Sequence, residues 1–251
     1  MKKLISLICV LAMVLALAAC GSSAPAAATE APAASTEAPA EDVSADKTFV
    51  VGICQLVQHP ALEAPTQGFK DALTEALGDK VTFQEQNASG DSATCSLICN
   101  QFVSDEVDLI MANATASIQA AASATNTIPI LGTSITDYGV ALGVDNWTGV
   151  SGTNISGTSD LAPLDGQAAM IQELFPDAKT IGLLYCSGEP NSIFQADSME
   201  ALLTDMGYSV ERYTFADSND VSSVTANACS NSDVLYIPTD NTAASCTEAI
   251  N

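Results

Sequence analysis

The chain has 251 residues, 7 Lys+Arg against 30 Asp+Glu and a formal charge of −23 at pH 7, with 47% hydrophobic and 5% aromatic residues. That length allows one large domain or two small ones with real cores. A nucleic-acid partner is excluded, because phosphate backbones are held by a basic stripe that this composition cannot build, and an anionic lipid surface would not hold the chain by charge.

Met1-Lys2-Lys3 is a short positive start, and residues 4–17 are apolar except for Ser6. The stretch is too short to span a bilayer comfortably but suits a secretory leader. It ends at Leu17-Ala18-Ala19-Cys20-Gly21, which resembles a bacterial lipobox. Residues 1–19 are therefore expected to be removed and Cys20 acylated, placing the protein on the extracytoplasmic face of the cell membrane. Residues 20–47 are dominated by Ala, Pro, Ser, Thr and Glu, with Thr29-Glu30-Ala31-Pro32-Ala33 repeated as Thr36-Glu37-Ala38-Pro39-Ala40. Such a composition buries too little apolar surface to offset its ordering entropy, so it reads as a solvated tether.

From Phe49 onward, short apolar runs alternate with helix-length amphipathic ones, the pattern of βαβ units and a parallel sheet. Strands are expected at 49–54, 81–86, 108–112, 128–133, 180–185, 209–214 and 233–237, with helices near 65–77, 92–104, 115–126, 163–175, 191–206 and 219–229. Pro65 and Pro163 suit first-turn positions, and Gly207 suits a helix C-terminus. The sequence also repeats itself. Val51-Gly52-Ile53 is echoed by Ile181-Gly182-Leu183, and Asp108-Leu109-Ile110-Met111 by Asp233-Val234-Leu235-Tyr236, at offsets of 125 to 130 residues. The expected architecture is α/β, two tandem Rossmann-like lobes at 48–157 and 158–251, with the chain crossing between them in the Gly-, Ser-, Thr- and Asn-rich stretch 139–162. At the same offset, the partner of the strand at 128–133 would begin just past Asn251, so the second lobe is expected to be C-terminally incomplete.

Several segments carry a family likeness: Gly52-Ile53-Cys54-Gln55 leading to His59-Pro60-Ala61-Leu62, Asn87-Ala88-Ser89-Gly90-Asp91, Thr133-Ser134-Ile135-Thr136-Asp137, Gly188-Glu189-Pro190-Asn191-Ser192 and Pro238-Thr239-Asp240-Asn241. Together, in this order and spacing, they resemble the tryptophan/aromatic amino-acid type of ABC-transporter substrate-binding lipoproteins. The resemblance implies a type I periplasmic-binding-protein fold whose two lobes close on a small solute. It also implies an ABC permease with a separate ATPase subunit as partner, no cofactor and no catalytic residues. Cys54 and Cys186 depart from the pattern, standing where small polar residues are expected.

In open α/β sheets ligands bind outside the carboxyl ends of the strands, so the loops following the strands are the place to look. Thr115, Ala116 and Ser117 open a helix whose free N–H groups and dipole suit a carboxylate, and Thr133 and Ser134 are placed to complete the cradle. Thr115 also suits an N-cap. An α-ammonium needs a carboxylate, with Asp160, Glu189 and Asp240 as candidates and Asn191 and Asn241 fixing orientation. Gln55 and His59 belong to the first such loop, where His59 either packs on a ligand ring or rims the cleft. With one histidine there is no metal-site spacing and no Ser-His-Asp triad, and no P-loop is present. Cys95 and Cys99 share a helix face and read, with the remaining cysteines, as buried free thiols. The reading that follows is a receptor for a small zwitterion, an aromatic or other hydrophobic amino acid. The alternatives are a ligand-sensing lipoprotein without transport, a sugar or nucleoside receptor, and a two-cysteine amino-acid racemase built on Cys54 and Cys186.

Overall fold

The computed structural model describes residues 47–251; the leader, Cys20 and nearly all of the tether lie outside the described residues. The first sheet has five parallel strands, β1 (Phe49–Gln55), β2 (Val81–Asn87), β3 (Leu109–Asn113), β4 (Ile130–Ile135) and β5 (Ile155–Ser159), in the spatial order β2-β1-β3-β4-β5. The second has three, β6 (Thr180–Cys186), β7 (Ser209–Phe215) and β8 (Val234–Tyr236), in the order β7-β6-β8. Helices α1 (Pro60–Leu77), α2 (Ser92–Ser104), α3 (Thr115–Ala124) and α4 (Tyr138–Leu142) accompany the first sheet. Helices α5 (Leu164–Leu174), α6 (Pro190–Asp205), α7 (Val221–Asn231), α8 (Asn241–Ser245) and α9 (Thr247–Ile250) accompany the second. Among the described residues no helix is long and apolar enough to cross a membrane.

The order β7-β6-β8 repeats β2-β1-β3, which is the structural content of the sequence repeat. The repeat also recurs in detail. The Asp108 carboxylate accepts the Val50 N–H at 2.9 Å, while Asp233, its echo, accepts the N–H groups of Lys179 and Thr180 at 2.8 and 2.9 Å. Each aspartate ties the start of one strand to the start of its neighbour, and these bonds hold both carboxyls below the usual range, helped for Asp108 first of all by Lys47.

Parallel strands covered on both faces read as continuous apolar runs, and β1 does so. Val51 and Ile53 pack with Phe69 and Leu73 of α1, while Cys54 packs on the other face with Ile98 and Phe102 of α2 and Ile118 of α3. In the second sheet Ile181 and Leu183 meet Ala196 and Met199 of α6, and Leu184 meets Val221 of α7 on the opposite face. Each such fully buried aliphatic side chain contributes on the order of 1.5–3 kcal/mol.

The structure departs from the sequence reading at identifiable places. β5 lies inside the stretch read as crossover, because it is an edge strand with a single buried residue, Ile155, and no apolar run to announce it. The short helices α4 and α8 were unseen, although Asp137 and Asp240 cap them by accepting the N–H groups of Val140 and Ala243 at 2.8 Å each. α9 was likewise too short to read. Helix α1 starts five residues earlier than expected, with Pro60 in the first turn and Pro65 inside the helix. Pro163 is the N-cap residue of α5 rather than part of its first turn. Gly207 does follow a helix end: at φ +93° it donates to the Thr204 carbonyl at 2.9 Å while Tyr208 donates to Leu203 at 3.0 Å, the paired bonds that close a helix C-terminus.

Candidate functional site

Parallel strands of equal register bring their carboxyl ends, and the loops that follow, to one edge of each sheet. Gln55, at the end of β1, stands level with Asn87 of β2 and Asn113 of β3. The loops of both sheets face a cleft of about 370 Å³. The first sheet contributes Leu56 and Val57, residues 89–92 and Ala116, and the second contributes Cys186, Gly188, Glu189, residues 216–218 and the start of α8. This lining holds the carboxylates of Asp91, Glu189 and Asp217 and no Lys or Arg. A second cavity of about 270 Å³ lies between His59 and Ala61 on one side and residues 237–241 and 243–244, helix α9 and Asn251 on the other.

Of the residues considered for a carboxylate cradle, Ala116 lines the cleft and Thr115 is buried beside it. Thr115 and Ala116 are the first two residues of α3, and among the described residues their N–H groups have no hydrogen-bond partner. The cap itself is Ala114, not Thr115, and it is strained, with φ +88° and ψ 162°. That region is nearly confined to glycine, and strain of this kind collects at ligand clamps. Ser117 does not face the cleft: it is fully buried against α2, its hydroxyl 3.7 Å from the Cys95 sulfur and its carbonyl 4.0 Å from that of Cys99. Thr133 accepts the Ala114 N–H on its carbonyl at 3.1 Å, and Ser134 occupies the irregularity of β4 at φ +56°, so both shape the approach to α3.

The acids proposed for the ammonium are placed differently from expectation. Glu189 lines the cleft, but its carboxylate already receives five donors. Oε2 accepts from Asn241 N and Nδ2 at 3.0 and 2.7 Å and from Asn191 Nδ2 at 3.1 Å, while Oε1 accepts from Thr242 N and Oγ1 at 2.8 Å each. Asp240 is buried and spends both oxygens on backbone, accepting Cys186 N at 2.7 Å and Ala243 N at 2.8 Å. Burial first, and then the neighbouring Glu189, push the Asp240 carboxyl up to about 6. Asp160 sits exposed beyond β5, its N–H bonded to the Ile135 carbonyl, away from the cleft lining. Asn191 is buried and donates to Glu189 and to the Thr239 carbonyl. Gln55 is likewise engaged internally, accepting from Thr66 at 2.7 Å and donating to the Val57 carbonyl at 3.0 Å.

Two side-chain contacts reach across between the sheets. His59 Nε2 lies 3.4 Å from Asn241 Oδ1, and the hydroxyls of Thr136 and Thr239 are 3.4 Å apart. The cleft residues passed over by sequence reasoning are Asp91, Asp217 and Thr242. Asp91 caps α2 through Oδ1, accepting Thr94 N at 2.7 Å, and Asp217 uses Oδ1 on Asn219. Asp91 and Asp217 follow the equivalent strands β2 and β7, and that shared place after a strand is the signal that finds them.

Cys54 and Cys186 do not face a common substrate. Cys186 lines the cleft, whereas Cys54 is fully buried under α2. Against a hydrogen bond with Cys95 that pulls the other way, a hydrogen bond with Cys99 and burial push the Cys54 thiol up to about 12, and burial raises Cys186 as well. With Cys54 outside the cleft lining, the two thiols do not stand as a facing pair on one substrate. Cys54, Cys95, Cys99, Cys186, Cys229 and Cys246 are free thiols, the first four of them buried, Cys229 exposed and Cys246 half-buried.

This α/β fold is shared with known proteins. The family model of ABC transporter substrate binding proteins matches residues 50–251. The chain belongs to that family. It is 39% identical over 194 residues to a tyrosine-binding protein of Clostridioides difficile (strain R20291), covering 76% of this chain and 56% of that protein, so it spans little more than half the length of this relative. Among solved structures, the ABC domain from Streptococcus pneumonia in complex with L-Trp is 32% identical with a TM-score of 0.77, covering 81% of this chain and 70% of that one. The ligand-free, open structure of a Clostridium difficile substrate binding protein with adhesive properties is 39% identical over the same shares, with a TM-score of 0.56. A leucine binding protein of Thermotoga maritima, 17% identical with a TM-score of 0.59 over 76% of this chain and 55% of that one, shares the type I periplasmic-binding-protein fold.

Proposed function

We propose that this chain captures a zwitterionic amino acid with an aromatic or hydrophobic side chain in the cleft between its two sheets and delivers it to an ABC permease powered by a separate ATPase subunit. The observation that carries the reading is the cleft itself, of a size that suits a small solute, in a chain related to a tyrosine-binding protein and to one crystallised with L-Trp. In this reading the ligand carboxylate takes the unpaired N–H groups of Thr115 and Ala116 at the positive end of α3. The ammonium takes the outer carboxylate oxygens of Asp91 and Asp217, because Glu189 and Asp240 are already engaged.

Closure of the two halves about the crossovers makes this a capture mechanism. Its support is that the chain superposes better on the L-Trp complex than on the open, ligand-free relative to which it is more identical. A lipid on Cys20, with residues 21–47 as a tether, would keep the receptor on the extracytoplasmic face of the membrane beside its permease. A thermal-shift screen of amino acids and sugars tests the reading. Stabilisation by L-tryptophan or L-tyrosine is expected, and stabilisation by sugars alone would overturn it. For the anchor, Cys20→Ala is expected to release the protein from the membrane fraction.

A further inference from the structure

Glu189 holds a cluster of donors that no ligand contact explains, and one of those donors belongs to a residue that touches the opposite half. Backbone N–H groups reach both of its oxygens, from Asn241 to Oε2 and from Thr242 to Oε1, so each oxygen acts as an acceptor. The Asn241 side-chain atom 2.7 Å from Oε2 must therefore be the amide nitrogen, which turns Oδ1 away. That oxygen lies 3.4 Å from His59 Nε2 across the gap between the sheets. An amide oxygen only accepts, so Nε2 must carry the proton. In the neutral ring Nδ1 is then a bare acceptor, and it is buried without a hydrogen-bond partner among the described residues, with His59 itself only 6% exposed.

We infer that Glu189, Asn241 and His59 form a relay across the gap between the sheets, in which Glu189 is a positioning residue that sets the Asn241 amide and, through it, the tautomer and closing contact of His59. Glu189 thus serves ligand capture without touching ligand. The inference rests on the proposed capture function for its consequence on affinity, and on geometry alone for its consequence on His59.

His59 is the single histidine of the chain, so its ring nitrogens are read without ambiguity by nitrogen-15 NMR of the full-length, histidine-labelled protein. In ligand-free wild type at neutral pH the Nε2–H tautomer is expected to predominate. Asn241→Ala, which leaves the backbone bonds of α8 to Glu189 in place, is expected to shift the ring toward a mixture of tautomers. Glu189→Gln is expected to do the same by letting the Asn241 amide turn over. A residue with a purely structural role would leave the tautomer unmoved, and unchanged nitrogen shifts in Asn241→Ala would overturn the relay whether or not Glu189→Gln folds. With L-tryptophan as probe, Asn241→Ala and His59→Ala are each expected to weaken binding about fivefold, the scale of one lost hydrogen bond, and the double variant to be no weaker than the weaker single variant. Fully additive losses would also overturn it. Absence of any L-tryptophan binding to wild type would count against the capture reading instead and leave the NMR arm decisive.

Discussion

The two walls of the cleft grow from the same strand order, β2-β1-β3 and β7-β6-β8, yet they satisfy their polar groups in opposite ways. On the first wall, α3 leaves two N–H groups without partners and enters its helix through a strained alanine. On the second, the short helix α8 has its N–H groups taken by the carboxylates of Glu189 and Asp240. A shared topology therefore fixes where the loops meet, while a few side chains decide which wall stays open to an anion. Two acids buried on the second wall contribute to its architecture, whereas the exposed acids of the cleft lining, Asp91 and Asp217, each engage only Oδ1 among the described residues.

The largest test of this contrast uses the repeat-equivalent glycines at the centres of the two sheets. A β-carbon at Gly52 would sit 2.6 Å from the Phe102 ring, whereas one at Gly182 would sit 2.6 Å from the ends of the Leu235 and Ser232 side chains, which can turn aside, and 3.1 Å from the Tyr213 ring. Gly52→Ala is expected to cost about 3 kcal/mol and Gly182→Ala about 1 kcal/mol in urea unfolding. Equal losses would show that the two sheets are packed more alike than their side chains indicate.

Next in size is the pH dependence of the second wall. The Asp240 carboxyl is raised to about 6, by burial first and Glu189 second, against about 3.9 unfolded. A folded value above the unfolded one stabilises fully at low pH and is lost as pH rises through about 6. Wild type is therefore expected to lose on the order of 2–3 kcal/mol relative to Asp240→Asn between pH 4 and pH 7, measured as the change in their stability difference. A difference that stays flat with pH would remove the buried acid from the comparison.

The open wall is probed by Thr115→Pro. Proline is tolerated in the first helical position, so α3 should persist while one unpaired N–H disappears. An affinity loss of about tenfold for L-tryptophan is expected, the scale of one hydrogen bond to a charged group, and undiminished binding would move the carboxylate elsewhere. The smallest effect is a gain. Ala114→Gly relieves about 1–3 kcal/mol of backbone strain and gives up about 0.8 kcal/mol of methyl burial, for a net stabilisation of about 1 kcal/mol by thermal unfolding.

Much of the fold was legible before any coordinates. The apolar runs of β1, β3 and β6 and the amphipathic helices between them are local patterns, and the echo of Asp108 in Asp233 marked a duplicated unit. β5 was not legible, because Ile-Ser-Gly-Thr-Ser has the composition of a loop and becomes a strand only through its pairing with β4. The site was legible in part. Residue type and position after a strand placed Ala116, Glu189 and Asn241 at the cleft, but could not say that Ser117 turns into the α2 interface or that Glu189 is already surrounded by donors.

The sequence by itself determined an α/β chain of repeated βαβ units with a strongly acidic composition. These follow from composition and from periodicities that each segment carries alone. Only the tertiary structure decided which polar groups are spent and which remain open. Hydrogen bonds such as Glu189 to Thr242 or His59 to Asn241 join residues 53 and 182 positions apart, and their geometry exists only once both sheets have folded and met.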